Sequence, residues 1–466
     1  MQEKINVSET VEALLYTKKN VFEEADSKKI KLIYDYAEGY KNYIDNSKTE
    51  REATEETIAL LKKSGYTEYK LGDRLSSGDK KYLNHHGKCL FIFKIGTADI
   101  EKEGIRIIAA HVDSPRLDLK QVPMYEDSGM AFLKTHYYGG VKKYQWTAIP
   151  LALHGVIVKK NGDVVKVKIG EDESDPIFYI NDLLPHLGQK QAAEPLGSAI
   201  PGEALNILIG GLPYNDTSVS DRIKLTALSI INEKYGVTEE DFLSAELSVV
   251  PAFKARDIGF DRALIGAYGH DDRVCAYPAV TALIDEDKTD RTVFVILADK
   301  EEIGSVGVSG MESDLFVDII SEISENLGKN PRIVRSMSKC LSADVSAAYD
   351  PNFADVYEKR NSAIISCGAT MNKFTGARGK SSSSDASAEF VGFLRKLFAD
   401  NGVIWQSAEI GKVDAGGGGT IAKFIANKNI ETVDLGVPVI SMHAPYEVVS
   451  KADIYSTYEA FRAFIK

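Results

Sequence analysis

From residue 8 to about 64, apolar positions recur at helical spacing. They fall first at Val11, Leu14 and Leu15 and again at Ile30, Ile33 and Tyr34, with lysines and glutamates between them. A period near 3.6 predicts amphipathic helices there. Short continuous apolar runs follow at 90–95 and 105–110, of a length suited to buried strands. Between about 120 and 249 the texture becomes alternating. In 153-LHGVIVKKNGDVVKVKIG-170 two alternating runs flank Asn161-Gly162, residues that both accept φ > 0, and the pattern predicts a β-hairpin. After about Pro251 strands and helices take turns again. The stretch 292-TVFVILA-298 has strand character, while 311-MESDLFVDIISEI-323, 386-ASAEFVGFLRKLFAD-400 and 454-IYSTYEAFRAFI-465 have helical spacing.

Strands that alternate with helices imply an α/β sheet covered by helices on its faces. At 466 residues the chain is too long for one simple core. The expected organisation is an α/β domain formed by both ends of the chain, residues 1–119 and 250–466, interrupted by a β-rich insertion, residues 120–249.

Charge narrows the partners. A formal net charge of −12 and no basic run argue against a nucleic-acid partner, which needs a basic face. No stretch of 18 consecutive apolar residues exists, and the N-terminal MQEKINVSETVEALL lacks the apolar core of a signal peptide, so a cytoplasmic, non-membrane protein is expected. Cys89, Cys275, Cys340 and Cys367 form no CxxC pair and are expected to be free thiols.

Candidate chemistry sits where the apolar runs stop. The strand-like 292–298 run leads into 298-ADKEEIGSVG-307, which sets Glu301 beside Glu302. Neighbouring side chains in a strand or sharp turn point opposite ways, so one carboxylate can bind a metal while the other faces a substrate. The 105–110 run ends in His111-Val-Asp113; Asp271 and Asp272 precede a helix-like stretch; Cys340-Leu-Ser-Ala ends at Asp344; and 437-VPVISM-442 runs into His443. In open α/β sheets a ligand site lies beyond the carboxyl ends of the strands, which would let these groups converge. Two histidines with several carboxylates are the donor set of zinc or a similar divalent ion in a hydrolytic site.

Together these stretches resemble the aspartyl aminopeptidase family of dinuclear metallopeptidases, M18. The resemblance is carried by 111-HVDSPRLDLK-120, the Asp271 segment, 299-DKEEIGS-305, 342-SADVSAA-348 and 441-SMHAPYE-447, in the family's order over most of the chain. It implies a mixed-sheet peptidase domain with an inserted β-rich domain for dimerisation and substrate gating. It also implies two divalent metal ions, zinc by family habit. His111 and Asp344 would hold one ion, Glu302 and His443 the other, and Asp271 would bridge them, with Asp272 the alternative bridge. Asp113 would orient His111, and Glu301 would be the general base. Peptides would be the substrates, and homo-oligomers built from dimers up to a dodecamer the expected assembly. In 183-LLPHLGQ-189 the resemblance nominates His186 as a histidine that reaches a neighbouring subunit's active site.

Two stretches depart from the family pattern. Asp344 is followed by 345-VSAAYDPN-352, without histidines, and 370-TMNKFTGARGKSSSS-384 replaces the basic substrate segment, keeping Lys373, Arg378 and Lys380 as cations for an acidic first residue. A related dinuclear carboxypeptidase or amide deacylase would use the same metals and base. The glycine run 416–419, ahead of a helical stretch, raises a nucleotide-binding alternative through phosphate contacts, although it lacks the Gly-Lys-Ser/Thr ending of a P-loop; a flexible loop lining the peptide site is the preferred reading.

Overall fold

A computed structural model describes residues 14–466. Its largest sheet has nine strands in the order Thr67–Glu68, Lys80–His85, Cys89–Lys94, Val293–Ala298, Arg106–His111, Lys339–Ser342, Glu431–Gly436, Ala369–Asn372 and Trp405–Ser407. Val293–Ala298, Arg106–His111, Lys339–Ser342 and Glu431–Gly436 run parallel, and the strands flanking this group are antiparallel to it. The unbroken apolar run at 293–298 follows from burial on both faces. Val293, Val295 and Leu297 enter one core with residues of helices His270–Asp285 and Lys451–Ile465, while Phe294, Ile296 and Ala298 enter a second core with helix Leu315–Asn326. The α/β expectation holds.

A second sheet draws all its strands from residues between 116 and 251 and is antiparallel throughout. Its order is Val164–Ile169, Leu151–Val158, Ala245–Pro251, Arg116–Asp127, Met130–Tyr138, Ile207–Gly210 and Tyr179–Ile180. Leu117, Leu153, Ile157, Leu247 and Val249 pack on its inner face with Ala227 of helix Arg222–Tyr235. A third, five-stranded sheet joins Arg256–Ile258, Leu264–Ala267, Glu447–Ser450, Pro438–Ile440 and Ser346–Ala347.

The expected hairpin is present as Leu151–Val158 against Val164–Ile169, but of its turn pair only Gly162 takes a positive φ, of 91°. The loop is longer than two residues, closed by Lys159 N–H on Asp163 O at 2.8 Å. Helical character over 8–64 resolves into two long helices, Ser27–Asp45 and Glu50–Lys63, because Asp26 and Thr49 cap new N-termini through Lys29 N–H and Glu52 N–H. Val11 lies outside the described residues. The helix expected over 311–323 starts only at Leu315, whose N–H donates to Ser313 Oγ. Among the described residues no helix is long and apolar enough to cross a membrane, and all four cysteines are buried and unpaired.

Candidate metal centre

Three neighbouring parallel strands deliver part of the site. His111 ends Arg106–His111, Glu301 and Glu302 open the turn Glu301–Ile303 after Val293–Ala298, and Asp344 lies two residues past Lys339–Ser342. The shared-sheet expectation needs correction for the other two. Asp271 follows Leu264–Ala267 and His443 follows Pro438–Ile440, both strands of the five-stranded sheet. The site therefore lies where two sheets meet. Asp271 and Asp272 have non-helical backbone angles at the head of helix His270–Asp285, so their side chains are not committed to the helix's own surface.

All five proposed ligands converge. His111 Nε2 lies 3.2 Å from Asp271 Oδ1 and 3.8 Å from Asp344 Oδ1; His443 Nε2 lies 3.1 Å from Asp271 Oδ2 and 3.6 Å from Glu302 Oε2. Donor atoms of His111, Asp271 and Asp344 lie within 4.8 Å of one another, and so do those of Asp271, Glu302 and His443. A further group of this kind is His111, Glu301 and Glu302. Asp272 turns elsewhere: its Oδ2 accepts the backbone N–H of His111 at 3.2 Å.

Backbone contacts set these side chains. Asp113, fully buried, accepts the N–H of Glu301 on Oδ1 and that of Glu302 on Oδ2, both at 3.2 Å. His111 Nδ1 lies 3.3 Å from Asp113 Oδ1 and 3.1 Å from the Asp113 carbonyl. Nδ1 of His443 is 3.0 Å from the Gly140 carbonyl. A carbonyl can only accept, so this nitrogen carries a proton, and Nε2 is the ring nitrogen that faces Asp271 and Glu302. Glu447, the last residue of 441-SMHAPYE-447, accepts His443 N–H at 2.7 Å and Asp271 N–H at 3.1 Å. Its grip accompanies a left-handed backbone at His443, φ 66°. Its place four residues after His443 in the same motif was the only available signal.

Electrostatics at this point favours a cation. Burial, with the charges of Asp344, Asp113 and Asp271 added, pushes the Glu301 carboxyl up to about 8. Burial opposes protonation of His443, yet Asp271, Glu302 and Glu447 push the imidazole up to about 10. Asp271 Oδ1 and Glu302 Oε1 are buried without a hydrogen-bond partner. Orphaned carboxylate oxygens beside imidazole nitrogens are the donors a divalent zinc-type ion takes.

A family model described as aminopeptidase I zinc metalloprotease (M18) matches residues 43–465. The chain belongs to the M18 family. An M18 family aminopeptidase of Clostridium acetobutylicum is 47% identical over 460 residues, covering 97% of this chain and 99% of the relative. The crystal structure of an M18 aminopeptidase from Thermotoga maritima superposes with a TM-score of 0.92 at 40% identity, over 97% of this chain and 100% of that one. Aminopeptidase I from C. acetobutylicum gives 0.91 at 44% identity, over 97% and 100% of the two chains. As an M18 member the protein is a metallo-aminopeptidase, a peptide hydrolase of a zinc family.

Not every nominated residue reaches this M18 centre within the chain. His186 sits exposed on the turn Pro185–Leu187 of the 116–251 region and belongs to none of the donor groups among the described residues. Within the glycine run, Gly416 and Gly417 are closely packed, while Gly418 and Gly419 have open space where a Cβ would sit. Gly376 N–H donates to Gly418 O at 2.7 Å, and a Cβ on Gly417 would come within 2.2 Å of Gly376 O. The following helix, Ala422–Ala426, has five residues.

Proposed function

We propose that this aminopeptidase works with two divalent ions, one held by His111 and Asp344, the other by Glu302 and His443, with Asp271 shared. The observation that carries the reading is that two separate donor groups have Asp271 in common, one oxygen facing each histidine. Bound ions would supply polarisation of the scissile carbonyl and a water of lowered pKa. Glu301 belongs to neither group that shares Asp271, so its carboxylate is free to take a proton from water and return it to the leaving amine. Asp113 acts through His111, holding the Nδ1–H side of the ring.

The carboxylate-rich rim suits a substrate with a free α-amino group, since hydrogen bonds to charged partners contribute about 1.5–3 kcal/mol each. An acidic first side chain would compete for its cations. Lys373 and Lys380 both pair with Asp385, which leaves Arg378 as the one of the three without that partner. We infer that an acidic first residue is accepted without being required. His186 is assigned to a neighbouring subunit's site, which makes a homo-oligomer part of the proposal. A yeast aminopeptidase of the same fold, 22% identical at a TM-score of 0.75, is a dodecamer.

Zinc analysis of the purified protein, combined with kcat/KM for Asp-, Glu-, Leu- and Lys-initiated peptides and their N-acetylated forms, tests the reading. Two zinc ions per chain and cleavage of free peptides only are expected. Equal cleavage of acetylated peptides would overturn it, and strict dependence on Asp or Glu would overturn the specificity assignment alone.

A further inference from the structure

The antiparallel sheet touches the candidate metal centre through one segment, Tyr138-Gly139-Gly140, at the end of strand Met130–Tyr138. Tyr138 Oη donates to Asp113 Oδ2 at 2.8 Å. The direction is settled, because an ionised carboxylate only accepts. Asp113 is the group that faces His111 Nδ1 and both glutamate N–H groups, and those two backbone contacts are longer, at 3.2 Å each. The tyrosine hydroxyl is thus its closest donor from the second sheet.

Tyr138 is itself held. Arg116 is its cross-strand partner, and the guanidinium lies 4.1 Å from the ring centroid. The guanidinium is fixed in turn, Nε donating to Asp118 Oδ1 at 2.8 Å and Nη1 lying 3.1 Å from Glu50 Oε2, with Arg116 and Glu50 both buried. Two residues beyond Tyr138, the Gly140 carbonyl meets His443 Nδ1. A side chain would be crowded along this approach. A Cβ on Gly139 would lie 3.3 Å from Glu302 Oε2, and one on Gly140 would lie 3.2 Å from His443 Nδ1.

We propose that Tyr138 and Gly140 are positioning residues through which the antiparallel sheet aims both histidines: Tyr138 acts on His111 by way of Asp113, and Gly140 acts on His443 directly. The inference rests on the metal-ligand roles proposed above for His111 and His443. Physically, each histidine needs its Nδ1 side occupied by an acceptor so that Nε2 keeps its lone pair and its direction. Both acceptors are anchored by one segment, so a shift of that segment against the nine-stranded sheet would disturb both ions together.

The test uses zinc-loaded protein and three measurements: zinc affinity by chelator competition, kcat and KM determined separately, and thermal unfolding at saturating zinc. Tyr138→Phe keeps the ring over Arg116 and removes only the hydroxyl. Its zinc affinity should fall about 10- to 100-fold, with kcat lowered at nearly constant KM, because partners of this kind typically act on that scale. Gly140→Ala should also weaken zinc, by pressing on His443. In an Asp113→Asn background Tyr138→Phe should add less than about twofold, since the two act in series. Zinc affinity and kcat within about twofold of wild type in both single variants would overturn the proposal, as would full additivity with Asp113→Asn. Failure of the two-metal reading has a separate signature: the wild-type protein would itself bind fewer than two zinc ions, whatever Tyr138 does.

Discussion

Glu301→Gln separates the two roles a carboxylate can play at this centre. Glutamine keeps the length and shape of the side chain, and the backbone stays anchored because Asp113 accepts the N–H of residue 301 and not its side chain. What is lost is the capacity to accept a proton. A positioned general base contributes about 10² to 10⁴ in rate, or about 2.7–5.4 kcal/mol at about 1.36 kcal/mol per decade. The structure contains a competing assignment, since donor atoms of Glu301, His111 and Glu302 also lie within 4.8 Å of one another. As a ligand it would be needed for metal retention. As the base it would not.

The assay therefore measures kcat on the amide of an amino acid with a free α-amino group and an uncharged side chain, beside zinc content after gel filtration. The expected result is two zinc ions retained, KM little changed, and kcat reduced by about 10² or more. A variant that keeps its zinc and turns over within about tenfold of wild type would refute Glu301 as the base. Loss of one zinc would instead move Glu301 into the coordination sphere.

Three other outcomes are expected. Asp271→Asn should release both ions and Glu302→Gln only one, read as zinc stoichiometry; loss of a single ion from Asp271→Asn would mean that it is not shared. Inactive His186→Ala mixed with inactive Glu301→Gln should regain activity once subunits exchange, and no recovery despite demonstrated exchange would count against action in trans. The third concerns stability. His154 is buried between Glu52, at 2.9 Å, and Glu171, at 3.1 Å, with Lys48, Lys168 and Lys254 also facing those carboxylates. Burial alone would lower its pKa, but the two carboxylates raise it, while Glu171, despite burial, is held down to about 2 by His154 and Lys48. The contribution of protonated His154 is thus complete below the ordinary histidine value near about 6.5 and is lost as pH rises through its raised folded value; that of Glu171 is lost only as pH falls toward about 2. The denaturant midpoint of the zinc-loaded protein should consequently exceed that of His154→Gln most at pH 6 to 6.5, with the gap closing toward alkaline pH. A gap that is constant with pH would show that the histidine is not charged in the fold.

How much of this could be read in the sequence depended on whether a signal was local. His111, Glu301, Glu302 and Asp344 stand out because apolar runs stop beside them, and those runs are central strands buried on both faces. His443 was legible as a residue but its sheet was not. The strand before it, Pro438–Ile440, has three residues and pairs with strands at 346–347 and 447–450, a registration that no periodicity announces. Asp271 and Asp272 are chemically alike in sequence, and only the fold turns one toward two imidazoles and the other toward a backbone N–H.

Glu447 and Gly140 were hidden for a different reason. Hydrophobic patterning reports which side chains avoid water, whereas Glu447 grips main-chain N–H groups from other parts of the chain and Gly140 acts through its own carbonyl. An acid outside the apolar runs is ordinarily assigned to the surface; Glu447 is instead buried, with backbone N–H groups arriving to satisfy it, as they also do for Asp113. Tyr-Gly-Gly after a strand likewise has the look of a turn. Its role depends on the register Arg116 to Tyr138, which places the guanidinium against the ring and the hydroxyl against Asp113. A one-residue slip in that pairing would send Tyr138 to the opposite face of the sheet. The antiparallel sheet's register is therefore part of the candidate metal site's geometry, and mutations that loosen this strand pair far from the proposed ligands should be read first in zinc affinity.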